Sequence, residues 1–498
     1  MRTRGSGVLL HITSLPSKYG IGDLGPGAYQ FIQFLKDAGQ RYWQILPIHP
    51  TEYEYDNSPY HALSAFAGNP LLISPDVMVS DGFLDQEDLE PVPVFTAGSV
   101  EFLEVIAYKE ELFTKAFGRF EACDNRSEFD KFCEKNADWL DDYALFQALR
   151  KKFSPLRWCD WPSDLKLRSP EGLEKARSEE ATSVLKEKFL QYLFSVQWDA
   201  FRSVCRKAGV LLIGDIPIYV DYDSADVWVY PRFFKLDENL KPEVIAGVPP
   251  DYFSATGQIW DSPVYQWDEI QGTGFSWWIQ RIEHLASMVD YIRIDHFRGL
   301  VGFWEIPAGS ETAVTGRWVP APGYDLLKTL EKRSAYLPII AEDLGIITPD
   351  VREVMREFSL PGMKVLIFAF GAGIAGSPYI PHNIPRDCVV YTGTHDNAPI
   401  SGWFRDEASE EEMKNIAAYL GHEIKAEEIS WMLVRLAMMS VGNTVIIPMQ
   451  DLLSLGNESR MNTPGSRTGN WLWRVNEEQI TDTLSLNLHD MTELLGRL

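Results

Sequence analysis

A chain of 498 residues, 45% hydrophobic and 23% charged, is long enough to bury a large core, and it has no run of the roughly 20 apolar residues that a membrane helix needs. Acidic residues outnumber basic ones 71 to 46, for a formal charge of −25. A field of that sign repels phosphate backbones and anionic headgroups, so neither nucleic acid nor membrane is an expected partner, while a neutral polymer is unaffected.

Taken in chain order, short apolar runs that end in polar or Gly/Pro residues predict eight buried strands separated by amphipathic helices. GVLLHI (7–12) is followed by the helix AYQFIQFLKDAG (28–39), and YWQILPI (42–48) is the second strand. A long excursion then carries helical patterns at 101–117, 138–153 and 183–209 before the third strand, GVLLIGD (209–215). DYIRID (290–295), LPIIAED (337–343), MKVLIFAF (363–370) and CVVYTGT (388–394) follow, and ISWMLVRLAMMSVG (429–442) is a helix leading into NTVIIPM (443–449). A glycine stands at or just past the end of three of these helices, as a C-terminal stop should.

Eight strands alternating with helices are what a closed (β/α)8 TIM barrel requires, and the whole chain, 1–498, is expected to be one such α/β barrel. About 160 residues separate strands two and three and about 75 separate three and four, far more than one crossover helix needs. The expectation is therefore of large, mainly helical insertions at 50–200 and at 217–275, the second including a loop at 247–260. As βα connections both must build over the C-terminal face, where barrel active sites sit.

Several predicted strands end in an acid. Side chains alternate along a strand, so in Tyr291-Ile292-Arg293-Ile294-Asp295 the two isoleucines share one face and Arg293 and Asp295 the other. A nucleophilic carboxylate must be ionised, and Arg293 supplies a positive charge beside Asp295. Glu342, directly after an apolar run, is expected to be kept protonated by desolvation and by the charge of Asp295, as a general acid must be. Asp215 ends the third strand, and His395 and Asp396 follow the seventh. A lone Asp after a strand more often caps a helix. Four acids at corresponding strand ends, with Arg293 and His395 alongside, are instead the equipment of a retaining glycosidase or transglycosidase.

Gly20-Ile21-Gly22-Asp23-Leu24-Gly25 matches the dinucleotide fingerprint by letters, but it lies eight residues past the first strand and between Pro16 and Pro26, where a phosphate-cradling turn is not expected. The histidines show no metal-ligand spacing, so no metal and no cofactor is expected. Five scattered cysteines (Cys123, Cys133, Cys159, Cys205, Cys388) form no CxxC pair, and the apolar stretch before His11 is too short for a signal peptide. Cytoplasmic residence is the expectation.

Segments spread over nearly the whole chain resemble glycoside hydrolase family 77, the 4-α-glucanotransferases: YGIGDLGPGAYQFI (19–32), SPYHALSAFAGNPLLI (58–73), GDIPIYVDYDSADVW (214–228), AGVPPDYFSATGQIWDSPVY (246–265), RIDHFRG (293–299), AEDLG (341–345), PGMKVLIFAFG (361–371), GTHDN (393–397) and QDLLSLGNESRMNTPGSRTGNWLWR (450–474). The resemblance implies an α-amylase-like barrel without the usual C-terminal β-sandwich. It also implies transfer of α-1,4-glucan segments from a donor to the 4-hydroxyl of glucose or a maltooligosaccharide by retaining double displacement.

By the family pattern Asp295 is the nucleophile, Glu342 the acid/base and Asp396 the residue that grips hydroxyls of the distorted donor sugar. Arg293, Asp215, His395 and Tyr60 match donor-site ligands, with Ser58 and Asn462 as outer contacts. The segment with Tyr252, Phe253 and Trp260 matches the loop that arches over the cleft. Two places depart from the family: Ala255 stands where an acid is common, and residues 49–57 are longer and more acidic than the Gly-rich family version. A net α-glucan hydrolase would use the same carboxylates, and a non-catalytic glucan-binding protein could share the barrel but would be expected to lack one of them.

Overall fold

The computed structural model describes residues 3–250, 254–334 and 336–498. Among them are the strands β1 (Gly5–Leu9), β2 (Tyr42–Gln44), β3 (Leu211–Ile216), β4 (Val244–Val248), β5 (Gln258–Pro263), β6 (Tyr291–Ile294), β7 (Gly302–Pro307), β8 (Arg317–Pro320), β9 (Ile339–Ala341), β10 (Gly362–Val365), β11 (Cys388–Tyr391) and β12 (Thr444–Pro448). Eight run parallel in one sheet, in the order β10-β11-β12-β1-β2-β3-β6-β9. The two ends of that order meet where the N–H of Ala341 donates to the carbonyl of Pro361, at 2.9 Å, so the sheet closes into a (β/α)8 barrel.

Each barrel strand overlaps one of the eight runs expected from the sequence. The cause is burial on both faces, which leaves strands reading as nearly unbroken apolar runs: Val8, Ile213, Ile292, Ile340, Val389 and Ile446 are all fully buried. The strands are shorter than those runs. The seventh stops at Tyr391, and Thr392 already belongs to the connection that follows.

Helices cover the barrel. Trp43 of β2 meets Phe31 of the helix Pro26–Asp37 at 4.8 Å between ring centroids and Phe201 of the helix Ala181–Lys207 at 5.4 Å, both edge-on. Rings of this kind contribute about 1.5–3 kcal/mol each when fully buried. The connection between β2 and β3 is helical as expected, with Phe102–Glu121, Ala137–Phe153 and Ala181–Lys207 its longest elements.

The connection between β3 and β6 differs. Its β4 and β5 join β7 and β8 of the next connection in a four-stranded antiparallel sheet, order β5-β4-β7-β8. Within the loop expected at 247–260, residues 247–248 and 258–260 are therefore strand. These strands carry Gly, Pro and half-exposed polar residues in place of a clean apolar run, which is why no apolar run marks them in the sequence. No strand follows β12 among the described residues, and the helix Asp482–Leu494 packs back under the barrel. Among the same residues no helix is long and apolar enough to cross a membrane.

The Gly20–Gly25 segment lies between β1 and the helix beginning at Pro26. A Cβ on Gly22 would stand 2.0 Å from the Ile12 carbonyl oxygen, so this glycine serves close loop-on-loop packing.

Candidate active site

Register brings the acids together. Asp215 on β3 pairs with Arg293 on β6, and Ile294 pairs with Ala341 on β9. One residue further along that ladder sets Asp295 beside Glu342, whose N–H donates to the Ile294 carbonyl at 3.1 Å. Arg293, buried inside the barrel, spans two carboxylates: one terminal nitrogen donates to Asp215 Oδ2 at 2.5 Å and the other to Asp295 Oδ1 at 2.7 Å. The Tyr60 hydroxyl donates to the same Asp215 oxygen at 2.8 Å. Burial pushes the Asp215 carboxyl up, while Arg293 pulls it down.

Glu342, unlike Asp215, has no cation hydrogen-bonded to it among the described residues. Its Oε2 accepts from the N–H of His296 and its Oε1 from that of Leu344, both at 2.8 Å, so the carboxyl is fixed one residue from Asp295. Burial, and then the negative charge of Asp295, push it up to about 8. Asp343, its neighbour in sequence, faces the other way and accepts from the Met363 N–H at 2.6 Å, tying β9 to β10. The two adjacent acids that follow this strand therefore serve different purposes, one at the mouth and one in the wall.

Asp396 stands across the mouth on the connection after β11. Its Oδ1 accepts from Asn462 Nδ2 at 2.6 Å and lies 3.4 Å from His395 Nε2. The His395 ring stacks on Tyr60 at 5.2 Å with planes 18° apart. Ser58 Oγ accepts from the Tyr60 N–H at 3.3 Å and so shapes the turn that presents that tyrosine. Trp260 on β5 reaches over from the small sheet and meets His296 edge-on at 4.8 Å. Tyr252 and Phe253 lie outside the described residues. Asp215 Oδ1, His296 Nε2 and His395 Nδ1 are buried and have no hydrogen-bond partner among the described residues. Burial holds His296 down at about 4, so its ring is neutral in the ordinary range.

Sequence reasoning did not single out three neighbours of this site. Trp471 closes on Tyr60 at 5.8 Å and on His395 at 6.0 Å, and it does so with φ of +62°, a conformation a bulky residue rarely adopts. His296 has φ of +49° and presents its N–H to Glu342. Arg460 donates to the carbonyl oxygens of Asp396, at 3.1 Å, and of Asn462, at 2.9 Å. The only available signal for Trp471 and Arg460 was their place in the 450–474 segment.

The acidic 49–57 segment has a structural explanation. Glu52 pairs with Arg150, which also donates to Asp223 at 3.0 Å. Tyr55 lies flat on His61, 4.4 Å away and 1° from parallel, and Asp56 Oδ2 accepts from the Asn470 N–H at 2.7 Å. The added acids thus bind this segment to the helix Ala137–Phe153 and to the 460–474 segment. Tyr53 and Ala255 are exposed.

Against known proteins, residues 10–481 match the glycoside hydrolase family 77 profile, described as 4-alpha-glucanotransferase. The chain is 47% identical over 500 residues to a 4-alpha-glucanotransferase of Synechocystis sp., covering 99% of this chain and 98% of that one. It is 45% identical over 504 residues to a 4-alpha-glucanotransferase of Thermus thermophilus, covering 99% of each. Among solved structures, an amylomaltase from Streptococcus agalactiae in complex with acarbose superposes with a TM-score of 0.95 at 36% identity, covering 99% of both chains.

Proposed function

The chain belongs to glycoside hydrolase family 77, the 4-alpha-glucanotransferases, and we propose that it performs this transfer by retaining double displacement, with Asp295 as nucleophile and Glu342 as acid and then base. The observation that carries the reading is the contrast between two neighbouring carboxylates. Asp295 receives a guanidinium hydrogen bond, while Glu342 lies beside that negative charge with no cation bonded to it among the described residues. One is thereby suited to attack and the other to hold a proton.

In the first step Asp295 Oδ bonds to the anomeric carbon as the glycosidic C–O bond breaks, and Glu342 gives its proton to the departing 4-oxygen. In the second, Glu342 takes the proton from an acceptor 4-hydroxyl, which attacks the same carbon and frees Asp295. Asp396, directed by Asn462 and His395, grips hydroxyls of the donor sugar as its ring flattens. Tyr60, Asp215, Arg293 and His395 form the donor site, with Ser58 and Asn462 outside them and Trp260 on the acceptor side. The donor is an α-1,4-glucan and the acceptor glucose or a maltooligosaccharide. The Streptococcus agalactiae amylomaltase, solved in complex with acarbose, supports this substrate class. The buried, unpartnered Asp215 Oδ1 and His395 Nδ1 are suited to bonding such hydroxyls.

A slow fluorinated glucosyl donor tests the assignment. It should leave a covalently labelled peptide containing YIRIDHFR (291–298), with the label on Asp295. Label on Asp215 or Asp396 instead would overturn these roles.

A further inference from the structure

The connection that carries His395 and Asp396 is held at both of its ends by one carboxylate from the neighbouring strand. Asp451, in the turn of helix Met449–Leu452 directly after β12, is 1% exposed. Its Oδ2 accepts from the Thr392 hydroxyl at 2.6 Å, immediately past β11, and its Oδ1 accepts from the Ile400 N–H at 2.8 Å, where the next helix begins. Between those two points the segment closes on itself, since Asn397 Oδ1 accepts from both the N–H and the hydroxyl of Thr394 at 2.9 Å. From outside, Arg460 and the Asn462 N–H hold the carbonyls of Asp396 and His395, at 3.1 Å each.

Both Asp451 oxygens are taken up by these two bonds, and the groups that bond to them are neutral. A buried carboxylate without a cation is costly, and burial pushes this one up to about 6. What the side chain does here is bond at two terminal atoms, and those two bonds span residues 392 to 400. A misplacement of about 1 Å in a group that acts on the transition state lowers turnover by about a hundredfold.

We propose that Asp451 is a positioning residue for Asp396, gripping both ends of the 392–400 connection so that the Asp396 carboxylate is held against the donor sugar. The inference rests on the reading of Asp396 given above. Asp451 touches no sugar, and its influence passes wholly through that connection.

A double-mutant cycle on turnover of an activated maltosyl fluoride donor tests it, with folding followed by circular dichroism. Asp451→Ala should lower kcat roughly 20-fold or more while KM stays within about threefold, because the lost placement matters in the transition state. Asp451→Asn should stay within about threefold of the parent, since its amide can donate to the Thr392 oxygen while its carbonyl still accepts from Ile400. In an Asp396→Asn background the Asp451→Ala effect should shrink to under about twofold, because there is no carboxylate left to misplace.

An undiminished Asp451→Ala effect in that background, or Asn failing as badly as Ala, would overturn the inference while leaving the Asp396 role intact. Normal turnover of the Asp396→Asn single variant would sink the Asp396 role itself, and this inference with it. If Asp451→Ala does not fold, Thr392→Val removes one end of the grip and takes its place in the same cycle, with a loss of about fivefold that Thr392→Ser restores; absence of that loss counts against the proposal.

Discussion

Glu342 and Asp343 are adjacent acids whose roles are separated by the direction in which each side chain leaves the strand. Glu342 points to the mouth beside Asp295, and Asp343 points to the wall and the Met363 N–H. A general acid must carry its proton at working pH, and burial with the Asp295 charge pushes Glu342 up to about 8. Below that value the proton is present, and above it the proton is lost. Hence kcat/KM for maltotriose should fall as pH rises through about 8, measured as a pH profile of the purified protein. Glu342→Gln should lower turnover by about 10²–10⁴-fold and abolish that alkaline limb, the range expected for loss of one acid/base group. An alkaline limb that survives in the Gln variant would assign it to another group.

At the scale of elements, the small antiparallel sheet brings an aromatic side chain against the residue whose N–H bonds Glu342. Trp260 stands on β5, β5 is paired to β4, and the ring meets His296, whose backbone N–H bonds Glu342. Glu305 on β7, buried, ties this sheet together through Lys235 at 2.5 Å and Arg317 at 2.6 Å. In the proposed mechanism a glycosyl unit on Asp295 would meet water at about 55 M in competition with the acceptor, so transfer would need a well-placed acceptor and excluded solvent. On maltotriose alone the parent protein should form glucose and longer chains while the number of reducing ends stays constant. Trp260→Ala should let reducing ends climb, with the ratio of hydrolysis to transfer up roughly tenfold. An unchanged ratio in the folded variant would remove Trp260 from the acceptor side.

For the whole molecule, barrel closure depends on what lies beneath it as well as on the strands. Arg497, fully buried, donates to the carbonyls of Met438 at 2.7 Å, Ser440 at 3.0 Å, and Gly5 and Gly442 at 3.1 Å. It so joins the start of β1, the turn before β12 and the end of the chain's last helix, with Arg4 adding bonds to Met438 and Ser440. Arg497→Met would take a buried donor from the carbonyls of Gly5 and Gly442 and leave those of Met438 and Ser440 to Arg4, a loss on the order of 3 kcal/mol. The expected outcome is a Tm lower by several degrees with kcat and KM of the folded protein unchanged. An unaltered Tm would show that Arg4 and the strands suffice.

What the sequence determined by itself was local: eight strands, because burial on both faces writes an apolar run into each, and acids at the ends of three of them, Asp215, Asp295 and Glu342, while Asp396, expected at a fourth, lies on the connection after β11. The segments resembling one family then assigned roles that neither the apolar runs nor the strand ends contain. Tertiary structure decided everything that depends on distant partners. Tyr60 meets Asp215 from 155 residues away, Asp451 reaches Thr392 across 59, and Asp56 meets Asn470 across 414. The small sheet is likewise assembled from two separate connections. No periodicity along the chain encodes such pairings, because they arise only when closure of the barrel brings the C-terminal ends of its strands, and the connections that leave them, to one mouth.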